Sequence, residues 1–320
     1  SWTRTLQARK LKLLRKTLGS HHVSGKETLF FCPKCKHHKR KLSVNVAADK
    51  FKCWVCDYSG RAIRQLLRSY GDYRVLCDWD ELTSHTDINS FDSLFKDKEE
   101  SIDAEVILPE EFKTLASKNL PLCTLPARKY LSDRGITRQD ILQWKIGYCV
   151  SGDYAGRIII PSFSDNGSLN YFVARSYNGN WKKYMNPPAT RNIVFNDLMV
   201  DWGSDITLVE GTFDAIKAGA NAIPLLGSQL NENSKLFQKI VKYSPKVFLA
   251  LDPDAEKKSA RLIKKMLTYG VELCKVEIIP YSDVGEMSKD EFERRKAQAK
   301  PVSSSFGDFF QYLLERTVKI

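Results

Sequence analysis

Two groups of side chains in this 320-residue chain have types and spacings that can do chemistry. The first is a set of carboxylates in the second half. Glu210 and Asp214 lie in Glu210-Gly211-Thr212-Phe213-Asp214, Asp252 and Asp254 in Leu251-Asp252-Pro253-Asp254-Ala255, and Asp283 in Asp283-Val284-Gly285-Glu286. The first two motifs directly follow apolar, strand-like runs, residues 206–209 and 247–251, and Asp283 lies just past a third, 276–279. In a strand–helix alternation, acids at strand ends converge on one edge of a parallel sheet, where open α/β folds bind ligands. Clustered carboxylates repel one another unless a hard divalent cation sits among them. Phosphate is the natural substrate of such a centre. A lone Asp-x-Asp also serves as a helix cap, but three acidic motifs at successive strand ends point to metal.

The second group is Cys32-x2-Cys35 and Cys53-x2-Cys56, with 17 residues between the pairs. Two such knuckles at this separation present four thiolates tetrahedrally, the geometry of one structural zinc. The competing reading is a pair of disulfides, disfavoured in a reducing compartment. His37 and His38 are surplus to a four-sulfur shell and read as surface residues or nucleic-acid contacts. Cys77, Cys123, Cys149 and Cys274 lack partner spacing and read as small buried apolar residues. Lys34, Lys36, Lys39, Arg40, Lys41, Lys50 and Lys52 surround the knuckles, interleaved with Phe30, Phe51 and Trp54. Cations take phosphates and aromatic faces stack on unpaired bases. The alternative makes at least two of those aromatics the core of a small module.

The elements that must position these groups can be read from periodicity. Residues 5–18 form a basic amphipathic helix ending at Gly19, and a helix over 61–69 closes the cysteine module. Residues 82–105 are polar and read as a linker, with at most one short helix around 91–95. Helices follow over 126–132 and 138–144, the second opened by a Thr137/Asp140 capping box. Strands 157–163 and 169–176 flank Asp165-Asn166-Gly167, a hairpin signal. The chain then turns at Asn178-Gly179-Asn180 into a third strand, 181–185, giving an antiparallel meander. From residue 205 strands alternate with helices: strand 206–209, helix 213–218, strand 222–226, helix 233–243, strand 246–251, helix 255–269 and strand 271–280. That order implies a parallel sheet. Residues 287–320 read as mainly helical, and no internal repeat is present.

Charge divides the chain in the same way. Residues 1–70 carry 17 Lys/Arg against 3 Asp/Glu, whereas residues 77–111 carry 2 against 12, within a net charge of +12. A cationic module followed by an acidic segment fits nucleic-acid binding plus a linker. The expected division is a zinc ribbon over 1–76, an acidic linker over 77–108, a basic subdomain over 109–204 and a sheet subdomain over 205–320. Hydrophobic residues make up 42% of the chain, enough for real cores. No apolar run approaches the ~20 residues of a membrane helix. No signal peptide is evident, and Ser1 in place of Met suggests a trimmed or partial N-terminus. A soluble, cytoplasmic protein is expected.

The acidic motifs resemble the TOPRIM metal site of primases, topoisomerases and some nucleases. Arg157-Ile158-Ile159-Ile160-Pro161, Phe172-Val173-Ala174-Arg175 and Lys183-Tyr184-Met185-Asn186-Pro187-Pro188 resemble the basic subdomain of DnaG-like replicative primases. Tyr130-Leu131-Ser132-Asp133-Arg134-Gly135-Ile136 and Ile146-Gly147-Tyr148 match further segments of that family. With the zinc ribbon in front, the resemblance covers most of residues 28–286 and is nearest to the stand-alone primases of bacteriophages. Two departures are the all-cysteine zinc ligands, where many bacterial members place a His second, and Ala174-Arg175 where Gly-Arg is usual. The resemblance implies an α/β fold with a TOPRIM sheet, a basic meander and a zinc ribbon. It implies RNA primer synthesis from ribonucleoside triphosphates on single-stranded DNA, with Mg²⁺ or Mn²⁺, one to three ions, held by Glu210, Asp214, Asp252, Asp254 and Asp283. Glu210, Asp252 and Asp254 would be catalytic, and Arg157, Arg175, Lys183 and Asn186 would hold nucleotide or DNA. A replicative helicase is an implied partner; a phage origin would put the protein in the host cytoplasm. No Walker A loop is present. Two rival readings are a TOPRIM nuclease and a non-catalytic zinc-ribbon adaptor.

Overall fold

The computed structural model describes residues 2–83, 105–227 and 234–302, and the chain divides into two compact units. The first comprises the described residues up to Thr83 together with Gln238–Tyr243 and Thr268–Gly270. It begins with α1 (Trp2–Leu18) and continues through β1 (His21–Ser24), β2 (Glu27–Phe30), β3 (Leu42–Asn45), β4 (Lys50–Cys53) and β5 (Ser59–Gly60). These strands form one sheet in chain order, every pair antiparallel. Two further helices, α2 (Ile63–Tyr70) and α3 (Tyr73–Thr83), follow. The core is made by Leu14, Phe30, Leu42, Phe51, Leu66 and Trp79, with Cys32 and Cys53 buried among them. The helix α3 corrects the expected linker: its acidic stretch 77–83 is helical because Val75 and Trp79 are buried one turn apart. Residues 84–104, including the short helix expected around 91–95, lie outside the described residues.

The second unit holds two sheets on a shared core. The antiparallel sheet consists of β6 (Lys113–Thr114), β7 (Gly147–Cys149), β8 (Arg157–Phe163) and β9 (Leu169–Ser176), again in chain order. Between β6 and β7 stand α4 (Leu125–Asp133) and α5 (Arg138–Gln143). The capping box expected for α5 is present, Thr137 and Asp140 each accepting the other's backbone N–H. The expected third strand, 181–185, reduces to a single bridge between Arg175 and Tyr184. Pro187 and Pro188 follow directly, and proline cannot donate to a ladder.

The parallel sheet is built from β10 (Ile206–Val209), α6 (Thr212–Ala218), β11 (Ala222–Pro224), α7 (Lys235–Tyr243), β12 (Val247–Leu249), α8 (Pro253–Thr268) and β13 (Leu273–Lys275). Its order is β11-β10-β12-β13, all parallel, and β14 (Lys300–Pro301) adds an antiparallel edge after α9 (Lys289–Ala297). β10 and β12 are buried throughout, as strands covered on both faces must be. The expected strand 271–280 is confined to β13, the chain leaving the sheet towards Pro280. The C-terminal stretch is not wholly helical: beyond α9 it forms β14, and residues 303–320 lie outside the described residues. One apolar core joins both sheets, with Tyr148, Ile160 and Val173 from the antiparallel side and Val209, Ala215 and Val276 from the parallel side.

Candidate functional site

β10 and β12 are neighbours in parallel register, with Leu208 opposite Leu249. Their C-terminal ends therefore deliver Glu210 and Asp252 to the same edge. Glu210 Oε1 accepts the backbone N–H of Asp252 at 3.0 Å. Asp252 in turn caps α8, its Oδ1 accepting from Ala255 N at 2.7 Å. One helical turn beyond Glu210, Asp214 accepts from Gly211 N at 2.9 Å and from Gly285 N at 2.7 Å. The second bond ties α6 to the turn that carries Asp283, whose own Oδ1 accepts from Glu286 N at 3.0 Å. Gly285 eases the packing here. A Cβ at that position would stand 3.0 Å from Asp214 Oδ1 and 3.2 Å from Asp283 Oδ1, so its absence lets two carboxylates flank one point. Asp254 lies exposed on the first turn of α8.

Capping and clustering thus coexist: Asp252 and Asp283 each commit one oxygen to a backbone N–H. The acids are not drawn into a tight cage. Among the described residues, only the cysteine quartet brings three or more ligand atoms within 4.8 Å of one another. The electrostatics nonetheless mark a cluster. Burial, together with contact and repulsion from Asp252, pushes Glu210 up to about 7. Burial and the charge of Asp283 push Asp214 up to about 6, against the pull of its two backbone donors. Hard oxygen donors that resist ionising together are the donor set a divalent cation requires. Glu256, absent from the sequence reading, is buried on α8 and pushed up to about 8 by desolvation. Its position four residues after Asp252, on the same helical face, was the available signal.

The cationic segment adjoins these acids. Tyr184 lies within the fields of both Arg175 and Asp214, although burial dominates and raises its hydroxyl pKa. Tyr130 on α4 meets Phe213 on α6 edge-on at 6.2 Å. Arg175 donates from Nε to Tyr130 Oη at 2.8 Å and lays its guanidinium over the Tyr184 ring at 4.7 Å. Lys183 is exposed. Asn186 is half-buried, its Oδ1 accepting from Ala174 N at 3.2 Å. Beside them runs a groove of about 500 Å³ lined by Lys182, Tyr184, Asn186 and Arg191, among others. Arg157 departs from the expected phosphate contact. It is 4% exposed, and its two terminal nitrogens donate to the carbonyls of Lys183 at 3.2 Å and Lys182 at 2.8 Å. It faces inward because the first residue of β8 points at the returning chain, and it holds the segment that carries Lys183.

In the first unit the four expected sulfurs meet. Cys32 and Cys56 Sγ are 3.8 Å apart, as are Cys35 and Cys53. A tetrahedral shell with Zn–S bonds of about 2.3 Å places its sulfurs about 3.8 Å apart, so the quartet fits zinc. All eight cysteines are thiols. Cys149 and Cys274 are buried as expected, but Cys123 is exposed, on a single 3-10 turn (Leu122–Thr124) too short to shield it, and Cys77 is half-buried. Phe30 and Phe51 belong to the core, while Trp54 is half-buried under Lys52 at 4.9 Å. Lys41 is buried, which lowers its amine to about 8 and removes it from the exposed cations. The sequence reading passed over Phe31, which is 37% exposed with the Arg40 guanidinium 4.7 Å from its ring.

No family model matches the chain. It is 25% identical over 231 residues to a DNA primase of Thermotoga maritima, covering 57% of this chain and 40% of that protein. It is 23% identical over 291 residues to a DNA primase of Clostridium acetobutylicum, covering 75% of this chain and 48% of that protein. The chain thus spans less than half the length of these two relatives. Among solved structures it resembles a DnaG primase catalytic domain bound to single-stranded DNA, with a TM-score of 0.51 and 18% identity over 61% of this chain and 77% of that one. It also resembles the zinc-binding and RNA polymerase domains of the Aquifex aeolicus primase, with a TM-score of 0.50 and 18% identity over 98% of this chain and 89% of that one.

Proposed function

We propose that this homologue of the DnaG-type DNA primases, which shares their fold, is itself a primase core that makes short RNA primers on single-stranded DNA from ribonucleoside triphosphates. One observation carries the reading: within a single unit, acids from two neighbouring strand ends, from α6 and from the turn that carries Asp283 gather beside a cationic groove. In primer synthesis the 3′-hydroxyl of one nucleotide attacks the α-phosphate of the next and pyrophosphate leaves. Mg²⁺ or Mn²⁺, one to three ions held by Glu210, Asp252 and Asp254 with Asp214 and Asp283 beside them, would supply neutralisation of the charge that develops on the attacking and leaving oxygens. Glu210 and Asp252 are steadied by one shared hydrogen bond, so their remaining oxygens stay preorganised. Arg175 and Lys183 take triphosphate or the template–primer backbone, Arg175 with its plane fixed by Tyr130 and Tyr184. Asn186 retains its amide N–H donors for a base or sugar while its carbonyl oxygen is engaged. Arg157 acts as a positioning residue for Lys182 and Lys183. In the zinc unit, Phe31 with Arg40 and Trp54 with Lys52 offer stacked cation–aromatic pairs that suit a template strand. A replicative helicase remains the partner implied by the resemblance.

The test is incubation with labelled ribonucleotides, Mg²⁺ and a mixed single-stranded template. Short labelled RNA is expected. Degradation of the template would instead indicate a nuclease, and binding alone an adaptor. Glu210→Gln, Asp252→Asn and Asp254→Asn should each lower synthesis at least about a hundredfold and leave single-strand affinity within about twofold. Full synthesis by all three would remove the proposed site.

A further inference from the structure

Among the described large apolar side chains, Trp181 is the most exposed, at 89%. The indole contributes nothing to either core. Its backbone is nonetheless pinned. Ser176 Oγ bonds Asn178 Oδ1 and accepts from Asn180 N, Asn180 Oδ1 accepts from Lys182 N, and Ser176 N donates to Lys183 O. The buried Arg157 fork then holds the carbonyls of Lys182 and Lys183 from beneath. A wide aromatic face therefore stands in water on a fixed support, with two exposed lysines next to it and the groove of Lys182, Tyr184 and Arg191 at its side.

We infer that Trp181 is a stacking platform for an unpaired base of the single strand that follows this groove, the lysines and Arg191 taking the flanking phosphates. An exposed aromatic face followed by two exposed lysines suits a ligand that alternates π-surfaces with anions, and single-stranded nucleic acid does so. A fixed backbone also lowers the ordering cost of stacking. The inference rests on the reading above and adds to it a residue and the kind of contact it makes.

The experiment uses the full chain, no nucleotides, and a fluorescent oligothymidylate compared with the same length of abasic backbone. Because the side chain is exposed, Trp181→Ala, Trp181→Leu and Trp181→Phe should all fold, which circular dichroism checks. On oligothymidylate the Ala and Leu variants should bind about tenfold more weakly and the Phe variant within about threefold. The wild type should lose the same factor on the abasic strand, and Trp181→Ala should bind both strands alike. Wild-type affinity in Trp181→Leu, or an equal loss on the abasic strand, would overturn the inference. RNA synthesis by the wild type, assayed in parallel, separates the two failures. Synthesis with an unaffected Trp181→Leu sinks the stacking role alone, whereas a wild type that neither binds the strand nor makes RNA sinks the primase reading with it.

Discussion

At the scale of single residues, the acid cluster trades stability for a place to hold charge. The carboxyls of Glu210 and Asp214 lie above their ordinary values, at about 7 and about 6, chiefly through burial. A carboxyl whose folded pKa is raised costs nothing while both states are protonated. The penalty grows as pH climbs from the unfolded value to the folded one, so stability is lost with rising pH. The window here runs from about pH 4 to about pH 7. One unit is worth about 1.4 kcal/mol, and solvent around half-buried Glu210 screens roughly half of its share, which puts the pair at about 5 kcal/mol together. For zinc-loaded protein without added magnesium, the melting temperature should fall by several degrees between pH 5.5 and pH 8. Magnesium at millimolar concentration should flatten that slope, as should Glu210→Gln. Glu256, at about 8, adds a slope of the same sign that Glu210→Gln leaves in place. A Glu210→Gln variant that tracks the wild-type curve throughout would show that the cluster does not store this charge.

At the scale of elements, the sequence was most legible where local chemistry and tertiary placement agree. The runs leading into Glu210 and Asp252 read as strands because β10 and β12 are buried throughout and therefore β-branched or apolar at every position. The capping box of α5 was readable because both its hydrogen bonds are local. Arg157 was misread because nothing local tells a strand arginine whether it faces water or a returning chain. That distinction depends on residues 25 positions away. Trp181 shares the difficulty: in the sequence it completes a third strand, and only the tertiary arrangement leaves it standing free of the sheet. Burying the Arg157 guanidinium against two carbonyls has a measurable consequence. Arg157→Ala removes charge-assisted bonds and leaves Lys183 O with only the Ser176 N–H, which should cost about 2 kcal/mol in urea unfolding. It should also loosen the 176–183 turn and weaken single-strand binding severalfold, although Arg157 itself is buried. Unchanged affinity in a folded Arg157→Ala protein would mean the turn holds its shape without this anchor.

At the scale of the whole molecule, the two units rest on different sources of stability. The second has a core spanning two sheets, large enough to sustain itself by burial. The first has a small core into which Cys32 and Cys53 are set. A module of about 80 residues with so few buried apolar groups is marginal by burial alone. Its four sulfurs join the segment between β2 and β3 to the end of β4 and the turn beyond it. Zinc bound there adds free energy to folding directly, because the unfolded chain has no preformed site. Calorimetry on the metal-loaded protein should therefore show an unfolding transition that a strong zinc chelator abolishes, with one zinc released per chain. A second transition, from the unit holding Glu210 and Asp252, should persist. Cys53→Ala should reproduce the chelated state without chelator and should lose template preference while retaining the pH-dependent behaviour of the acid cluster. Were Cys53→Ala to keep a full equivalent of zinc, or the chelated protein to keep both transitions, the first unit would have to be stable through its apolar core alone, and the cationic surface around the knuckles would need some other means of holding its shape.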